Sequence, residues 1–268
     1  MAHQVCFIGA GAMGGATIRG LLRDEIFQPS EIVACDPAED ALTRLRNDLR
    51  IDTTTDNTEG LKGARVVFLA VKPQHLEVVC AGLFPSLQDE QLVISIVAGA
   101  RLSTLCAHLD TRRVVRAIPN TPAQVGAGVT LWTAADGVSP SDLEETRRIL
   151  RGLGIELHTD DERHIDMATA VSASGPAYAY LILEAWTDAG VRIGLPRAMA
   201  EQLVRETLIG SMRLQEATGR HPADLRAQVT SPGGTTTAAL QAFEEAGLRA
   251  SFGKAIAAAF RRSIELGE

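Results

Sequence analysis

The glycine-rich segment Gly9-Ala10-Gly11-Ala12-Met13-Gly14 constrains the fold of this chain more than any other feature. It follows a short apolar run over residues 5–8 and opens a helical pattern over residues 13–22. In such a position the first glycine permits a tight turn, the second lets the backbone approach a phosphate, and the third lets the helix pack closely on the strand. Free N–H groups at the helix N-terminus attract an anion. The segment therefore predicts a strand–turn–helix unit that binds the pyrophosphate of a dinucleotide.

Short β-branched runs alternate with helical patterns along the chain as far as residue 158. This alternation predicts βαβ units and a parallel sheet. Residues 66–71 and 92–97 are apolar on both faces, which is typical of central strands covered by helices on either side. The predicted strands span residues 3–8, 31–35, 65–71, 92–97, 114–118, 129–133 and 155–158. Together with the glycine segment, the pattern predicts an α/β Rossmann-type N-terminal domain over residues 1–160.

After residue 160 the strand pattern disappears, and helical patterns separated by Gly and Pro continue to residue 268. We therefore expect an all-α C-terminal domain over residues 161–268. A helix predicted over residues 176–193 is apolar around most of its circumference, and the last helix carries a broad apolar stripe from Leu248 to Ile264. So small a helical domain can hardly bury these surfaces alone. The pattern predicts that this is a dimerisation domain, in which the helices of two copies interlock.

Charge and cysteine usage limit the function classes. The formal net charge is −7, which disfavours a nucleic-acid or anionic membrane surface because phosphate contacts require clustered Lys and Arg. The four cysteines stand at wide spacings without a CxxC pair, so we expect reduced thiols and no metal site. The apolar start lacks a basic region and is interrupted by glycines, and no apolar run approaches the length of a membrane span. We expect a soluble cytoplasmic protein that acts on a small molecule.

Asp36 ends the second predicted strand, about 20 residues after Gly14, where an acidic residue binds the adenosine ribose hydroxyls in Rossmann folds. A carboxylate at this position repels the 2′-phosphate of NADP, and therefore favours NADH. The alternative is that Asp36 caps the turn before Pro37 and points away from the ribose. A strong preference for NADPH would support this alternative.

Other predicted strands end at the same edge of the sheet, where open α/β folds bind their ligands. Pro73 stops the ladder of one strand, so we expect Lys72 to turn outward near the cofactor; the alternative is an ordinary solvated surface lysine. Except for Asn57, which no predicted strand directly precedes, the remaining candidates for cofactor binding follow other predicted strands at that edge. They are Asn57, Ala70, Val71, Lys72, Pro73, Ala98, Gly99 and Asn120.

A second glycine-rich segment, residues 229–237, precedes a helix predicted over residues 238–245. It contains Ser231, Gly233, Gly234, Thr235 and Thr236. Such a loop presents backbone N–H groups and hydroxyls to an anion, here the carboxylate of a small substrate. The alternative is an ordinary helix cap, since Ser and Thr are common before helices. The chain lacks GxSxG, HExxH and P-loop motifs, which weakens hydrolase and phosphoryl-transfer hypotheses.

Over essentially its whole length the chain resembles the pyrroline-5-carboxylate reductase family, which catalyses the last step of proline synthesis. Two departures are small: Ile118 stands where Met is frequent, and Ala173 stands where Gly is usual. The segments that carry the resemblance are residues 7–14, 70–74, 119–122, 174–178, 188–190, 194–196 and 230–236, followed by Ala239-Leu240 and Phe243-Glu244.

The resemblance implies an NAD(P)H-dependent reduction of the ring C=N of 1-pyrroline-5-carboxylate to give proline. It implies that Gly234, Thr235 and Thr236 bind the substrate, with Ser231 and Gly233 shaping the loop and the hydroxyl of Thr236 acting on the ring nitrogen as the catalytic group. Members of the family commonly use NADPH, so both nicotinamide cofactors stay open. They also commonly form decamers built from dimers.

Three other functions are compatible with parts of the pattern. The 3-hydroxyacid dehydrogenase type also joins a Rossmann domain to a helical domain, but it relies on a lysine in the long inter-domain helix, and this chain has none between Lys72 and Lys254. A reductase of another cyclic imine would use the same groups. A sensor of NAD(P)H without catalysis would bind the dinucleotide without turnover.

Overall fold

The computed structural model describes residues 3–267, and its contacts divide the chain into two compact units. The first unit comprises the residues up to Pro176 together with those from Ala259, and the second spans Ala177–Ala258. The first unit is α/β and the second is helical, as the strand and helix patterns predict. No helix within residues 3–267 has the length and apolar character needed to cross a membrane.

One sheet forms the centre of the first unit. Its strands are β1 Val5–Ile8, β2 Ile32–Cys35, β3 Asp52–Thr54, β4 Val66–Leu69, β5 Leu92–Ser95, β6 Val114–Ile118, β7 Gly128–Ala134 and β8 Gly154–His158. They lie in the order β3-β2-β1-β4-β5-β6-β7-β8. β1 to β6 pair in parallel, so their carboxyl ends share one edge.

Two features of the sheet differ from the sequence prediction. β7 pairs with β6 in the antiparallel direction, because only the short 3-10 segment Thr121–Val125 joins them and a parallel return needs a crossover of a dozen residues or more. The short outer strand β3 was not predicted, because Asp52-Thr53-Thr54 is polar and lies half-buried or exposed. The central strands β1, β2, β4, β5 and β6 were predicted, because every residue in them is buried.

Helices cover both faces of the sheet, and two separate apolar clusters fill the space between them. These helices are α1 Ala12–Arg23, α2 Glu39–Leu49, α3 Asn57–Leu61, α4 Leu76–Leu83, α5 Leu102–Leu109, α6 Pro140–Arg151 and α7 Arg163–Ala168. The start of α6 is capped by Ser139, whose hydroxyl accepts a hydrogen bond from the Asp142 N–H at 3.2 Å.

The compact units divide later than the predicted boundary at residue 160. α7 contacts β6 and β7, and Arg116 of β6 pairs with Asp166 of α7. A π-helical segment, Thr169–Ala173, follows α7. These contacts place residues 161–176 with the sheet, although their sequence pattern is already helical.

The second unit consists of helices, and it buries little. Their bounds are α8 Gly175–Arg192, α9 Arg197–Thr218, α10 Pro222–Gln228, α11 Thr235–Glu245 and α12 Leu248–Glu265, of which α12 belongs to the first unit from Ala259 onward. Between Ala177 and Ala258, all of which the structure describes, the buried residues are Thr187, Ala200 and Val204. This unit therefore has no apolar core of its own.

Candidate functional site

The glycine loop after β1 is crowded at two of its glycines and open at the third. Gly9 adopts φ +107°, and a Cβ there would lie 2.6 Å from the carbonyl oxygen of Ala70. A Cβ on Gly14 would collide with the carbonyl oxygen of Gly9. At Gly11, by contrast, no described atom lies within 4 Å of such a Cβ. The chain therefore needs Gly9 and Gly14 for its own packing, whereas Gly11 borders open space, which fits a pyrophosphate approaching the backbone.

α1 begins at Ala12, directly behind this open space. Its N-cap is Gly11, which has no side chain to satisfy the first N–H groups of the helix. Those of Ala12, Met13 and Gly14 have no carbonyl partner one turn earlier, as at the start of any α-helix. They are available to an anion, and the residue types fit a dinucleotide phosphate.

The carboxylate of Asp36 lies against the glycine loop. Its Oδ2 accepts a hydrogen bond from the Ala10 N–H at 2.8 Å, and its Oδ1 accepts one from the Ala38 N–H at 2.9 Å. Asp36 therefore caps the turn at Pro37 and also bonds the glycine loop, and the ribose contact stays a prediction. The half-buried carboxylate stands at the end of β2.

Arg44 and Arg46, the first arginines after Asp36 in the sequence, bind other groups of the first unit. Arg44 donates through Nε to the carbonyl of Asp40 at 3.1 Å. Arg46 donates to the hydroxyl of Thr53 at 2.9 Å and pairs with Glu39 at 3.3 Å. These arginines are thus held by contacts along α2 and β3.

The remaining predicted cofactor residues follow the carboxyl ends of β3, β4, β5 and β6, and therefore lie along the same sheet edge. Lys72 is exposed, and Gly99 is buried with φ +77°. Asn57 is the first residue of α3, and its neighbour Asp56 caps that helix. Asn120 uses its side-chain oxygen to accept a hydrogen bond from the Val129 N–H at 3.0 Å. Ala70, Val71, Pro73 and Ala98 complete this set, each half-buried or exposed.

Two cysteines lie beneath the glycine loop. Cys6 of β1 and Cys35 of β2 are fully buried, with their sulfur atoms 3.6 Å apart. The hydrogen bond to Cys35, together with burial, raises the pKa of the Cys6 thiol well above its ordinary value. Cys6 therefore behaves as an uncharged packing group. Within residues 3–267, no group of three or more His, Cys, Asp or Glu is placed to hold a metal ion.

The substrate loop, defined as Ser231–Thr236, lies wholly in the second unit. α11 starts at Thr235 rather than at the predicted Ala238, with Gly234 as its N-cap. The Ser231 carbonyl accepts hydrogen bonds from the Gly234 N–H at 3.0 Å and from the Thr237 hydroxyl at 2.6 Å. The sequence assigned no role to Thr237, yet its hydroxyl closes the loop.

The earlier helix start changes the chemistry of the loop. Thr235 and Thr236 lie in the first turn of α11, so their N–H groups have no partner one turn earlier. Thr236 is half-buried and Thr235 is exposed. Gly233 adopts φ +69°, a conformation that favours glycine. The loop can therefore offer N–H donors and a hydroxyl to one small anion.

Two family models match this chain. One is described as pyrroline-5-carboxylate reductase dimerisation and matches residues 162–266. The other is described as NADP oxidoreductase, coenzyme F420-dependent, and matches residues 4–99. They match parts of the chain that carry the predicted substrate loop and the glycine loop, respectively.

Full-length relatives agree with the family models. A pyrroline-5-carboxylate reductase of Pseudomonas aeruginosa is 41% identical over 266 residues, covering 99% of this chain and 97% of the relative. The solved structure of a pyrroline-5-carboxylate reductase from Coxiella burnetii has a TM-score of 0.90 at 35% identity and covers 100% of both chains. That of the Plasmodium falciparum enzyme with NADP bound has a TM-score of 0.90 at 28% identity, covering 99% of this chain and 98% of the other. The chain belongs to the pyrroline-5-carboxylate reductase family.

Proposed function

We propose that this chain reduces 1-pyrroline-5-carboxylate to proline with a reduced nicotinamide cofactor. The observation that carries the proposal is the substrate loop, in which the unpaired N–H groups and the Thr236 hydroxyl stand together at the start of α11. The full-length relatives named pyrroline-5-carboxylate reductase support it. The enzyme is an oxidoreductase that acts on a C=N bond.

The substrate presents a carboxylate beside a ring imine, and the substrate loop offers a group for each. The N–H groups of Thr235 and Thr236 bind the carboxylate, because a helix N-terminus favours an anion. The Thr236 hydroxyl hydrogen-bonds the ring nitrogen and holds the imine carbon in position. A protonated imine is already electrophilic, so orientation and electrostatics suffice and no strong nucleophile is required. The carbon gains a hydride, while the nitrogen keeps its proton in the amine product.

The reduced nicotinamide supplies the hydride when it is bound. Residues 9–14 hold the pyrophosphate, and Asp36 and Asn57 lie on the adenosine side of the sheet edge. Ala70, Val71, Lys72, Pro73, Ala98, Gly99 and Asn120 line the nicotinamide side. The second unit is a dimerisation domain, and we further propose an interlocked homodimer, decamers built from such dimers, and a cytoplasmic location.

We infer that NADH is preferred over NADPH. Asp36 is anchored by Ala10 and Ala38, and Glu39 and Asp40 follow it, so a 2′-phosphate would meet negative charge. The NADP-bound relative from Plasmodium falciparum favours the opposite choice. Measurement of kcat/KM with both cofactors tests the inference, and Asp36→Ser should shift the ratio toward NADPH. A wild-type preference for NADPH of about tenfold or more in kcat/KM would contradict the inference. Such a ratio corresponds to a difference of about 1.4 kcal/mol in transition-state stabilisation between the two cofactors.

Loss of NAD(P)H absorbance in the presence of pyrroline-5-carboxylate tests the proposed reaction. A 3-hydroxyacid with the oxidised cofactor and a second cyclic imine serve as comparison substrates. The reaction is confirmed if turnover is fastest with pyrroline-5-carboxylate. Cofactor binding without turnover on any of these substrates would instead support a sensor.

A further inference from the structure

Arg116 is the most deeply buried charged side chain of the sheet. It lies in β6, a strand that is otherwise apolar, and it is 2% exposed. Its Nη1 donates to Glu162 Oε1 at 2.8 Å, and its Nη2 donates to Asp166 Oδ1 at 2.6 Å. These two carboxylates offset the cost of burying the guanidinium. The arginine therefore fixes both acidic side chains relative to β6.

Glu162 makes a second bond that Asp166 lacks among the described residues. The same Oε1 accepts a hydrogen bond from the backbone N–H of Leu102 at 2.7 Å. Leu102 is the first residue of α5, and the segment before it, residues 98–101, follows β5. We call this segment the β5 loop. Glu162 thus caps α5 from a distant part of the sequence and holds the far end of the β5 loop.

The near end of the β5 loop is held by the segment after α12. A Cβ on Gly99 would lie 2.7 Å from the carbonyl oxygen of Leu266, and one on Gly267 would lie 2.9 Å from the carbonyl oxygen of Gly99. All of these residues belong to the first unit. The β5 loop is therefore confined at Gly99 by backbone contact and at Leu102 by a carboxylate.

We propose that Glu162, held by Arg116, is a positioning residue for the β5 loop and thereby for the nicotinamide side of the cofactor site. The inference rests on the proposed function, because Ala98 and Gly99 are assigned there to the cofactor. It adds a residue outside that site, acting through the Leu102 N–H. Residues that bind a ligand hold it more tightly when neighbouring side chains fix their position, as Glu162 would do for the β5 loop.

Three variants separate this role from simple stabilisation. Glu162→Ala removes the bond to Leu102 and one contact of Arg116. Glu162→Gln restores an acceptor oxygen for the Leu102 N–H. Asp166→Asn is the matched control, because Asp166 accepts a hydrogen bond from the same arginine and, among the described residues, makes none to the β5 loop. The dissociation constant of NADH is measured by fluorescence without substrate, amide exchange of residues 98–105 by mass spectrometry, and Tm by thermal unfolding.

We expect Glu162→Ala to weaken NADH binding about tenfold, the scale for one charge-assisted hydrogen bond, and to accelerate exchange in the β5 loop. Glu162→Gln should recover most of the affinity. Asp166→Asn should lower Tm while leaving NADH affinity within about twofold, because the bond it weakens holds the buried Arg116 and does not reach the Leu102 N–H. If Glu162→Ala lowers only Tm, or if Asp166→Asn weakens NADH binding equally, the proposal is wrong.

Leu102→Pro provides a second test if Glu162→Ala fails to fold. Proline lacks the N–H but is tolerated at the first helical position, and Arg101 before it adopts φ −73° and ψ 151°, which suits a residue preceding proline. Unchanged NADH affinity in this variant would overturn the role of Glu162. The binding assay contains no imine, so it remains decisive even if the wild-type protein fails to reduce pyrroline-5-carboxylate.

Discussion

The two units of the chain bury apolar side chains to very different extents. In the first, Phe68 and Trp132 are fully buried, and apolar clusters fill both faces of the sheet. In the second, the buried apolar residues between 177 and 258 are Ala200 and Val204. The large apolar side chains that remain exposed there include Tyr180, Leu181, Trp186, Ile193, Met199, Leu203, Met212, Phe243 and Phe252.

This difference shows which part of the fold one chain can stabilise by itself. Helical propensity alone rarely keeps helices folded in water, because most of their stability comes from packing an apolar face. The first unit provides that packing within one chain. The second must obtain it from another copy, in agreement with its match to a dimerisation family. The predicted cofactor residues therefore stand on a self-sufficient unit, and the substrate loop on a unit that depends on assembly.

A charge placed on the exposed face of α8 should have the largest effect. Leu181→Asp is expected to cost about 3 kcal/mol or more, because a dimer would bury an unpaired carboxylate. Sedimentation should then show loss of the dimer, accompanied by loss of activity. Val78→Asp is the control, since Val78 is 77% exposed on α4, comparable to Leu181 at 64%. If both variants remain dimeric and equally active, the contrast between the units is wrong.

Removal of a core ring from the first unit should destabilise it independently of protein concentration. Phe68→Ala is expected to cost about 3–5 kcal/mol, the range for emptying a buried aromatic site. Phe252→Ala in the second unit should instead shift the unfolding midpoint by an amount that depends on concentration, because it weakens an association. Denaturant unfolding at two protein concentrations distinguishes them. Equal concentration dependence in the two variants would contradict the prediction.

The substrate loop predicts a change in catalysis without a change in cofactor binding. Thr236→Ala should lower kcat/KM by roughly ten- to a thousandfold, the scale for losing an oriented hydrogen-bonding group. The dissociation constant of NADH should stay unchanged, because the predicted cofactor residues belong to the first unit. Thr236→Ser keeps the hydroxyl and should retain most activity. Wild-type kinetics in Thr236→Ala would remove this residue from the mechanism.

Two substitutions in the glycine loop should have different effects: one should mainly weaken NADH binding, and the other should mainly destabilise the first unit. Gly11→Ala should cost less than about 1 kcal/mol of stability, as expected for alanine at a helix N-cap, because a Cβ there meets no described atom. Its NADH affinity should fall on the order of tenfold, since small displacements of bound groups are costly. Gly9→Ala should instead cost about 1–3 kcal/mol of stability through strain at positive φ. The reverse assignment, with Gly9→Ala stable and Gly11→Ala unfolded, would contradict the interpretation of the loop.

The sequence predicted those strands and helix starts that depend on the residues of one short segment. Apolar runs located the central strands because both of their faces are buried, and glycine spacing located the start of α1 within one residue. The start of α11 was predicted late, because three consecutive threonines resemble a loop although the first turn of a helix accepts them. Asp36 was predicted as a contact with the cofactor, but its bond to Ala10 depends on two strands lying side by side.

Other features depend on contacts between distant parts of the chain. The bond from Leu102 to Glu162 joins residues 60 positions apart, and nothing near either residue indicates it. The only available signal was the single charge in the apolar run of β6. The residues of β7 likewise do not indicate that it pairs antiparallel with β6. The direction of pairing follows from the short connection between the two strands.

The ion pair between Glu145 and Arg148 should contribute least to the stability of the first unit; the two side chains are 10% and 46% exposed, respectively. Burial opposes its ionisation, but hydrogen bonds and charge from Arg148 and then Arg65 outweigh burial and hold its pKa below the ordinary value of 4.5. Because the folded pKa is lowered, the stabilisation is present above pH 4.5 and is lost as the pH falls through the lowered value. Glu145→Gln should therefore be less stable than wild type at neutral pH by less than about 1 kcal/mol.

The difference between Glu145→Gln and wild type should shrink toward zero in acid, because both side chains are then uncharged. Denaturant unfolding at neutral pH and at a series of pH values below 4.5 measures it. The loss is small because the Arg148 side chain is 46% exposed and its charge keeps contact with water when unpaired. A loss of several kcal/mol at neutral pH would show that ion pairs support the first unit as strongly as its core does. The contrast with the second unit would then rest on charge as well as on apolar burial.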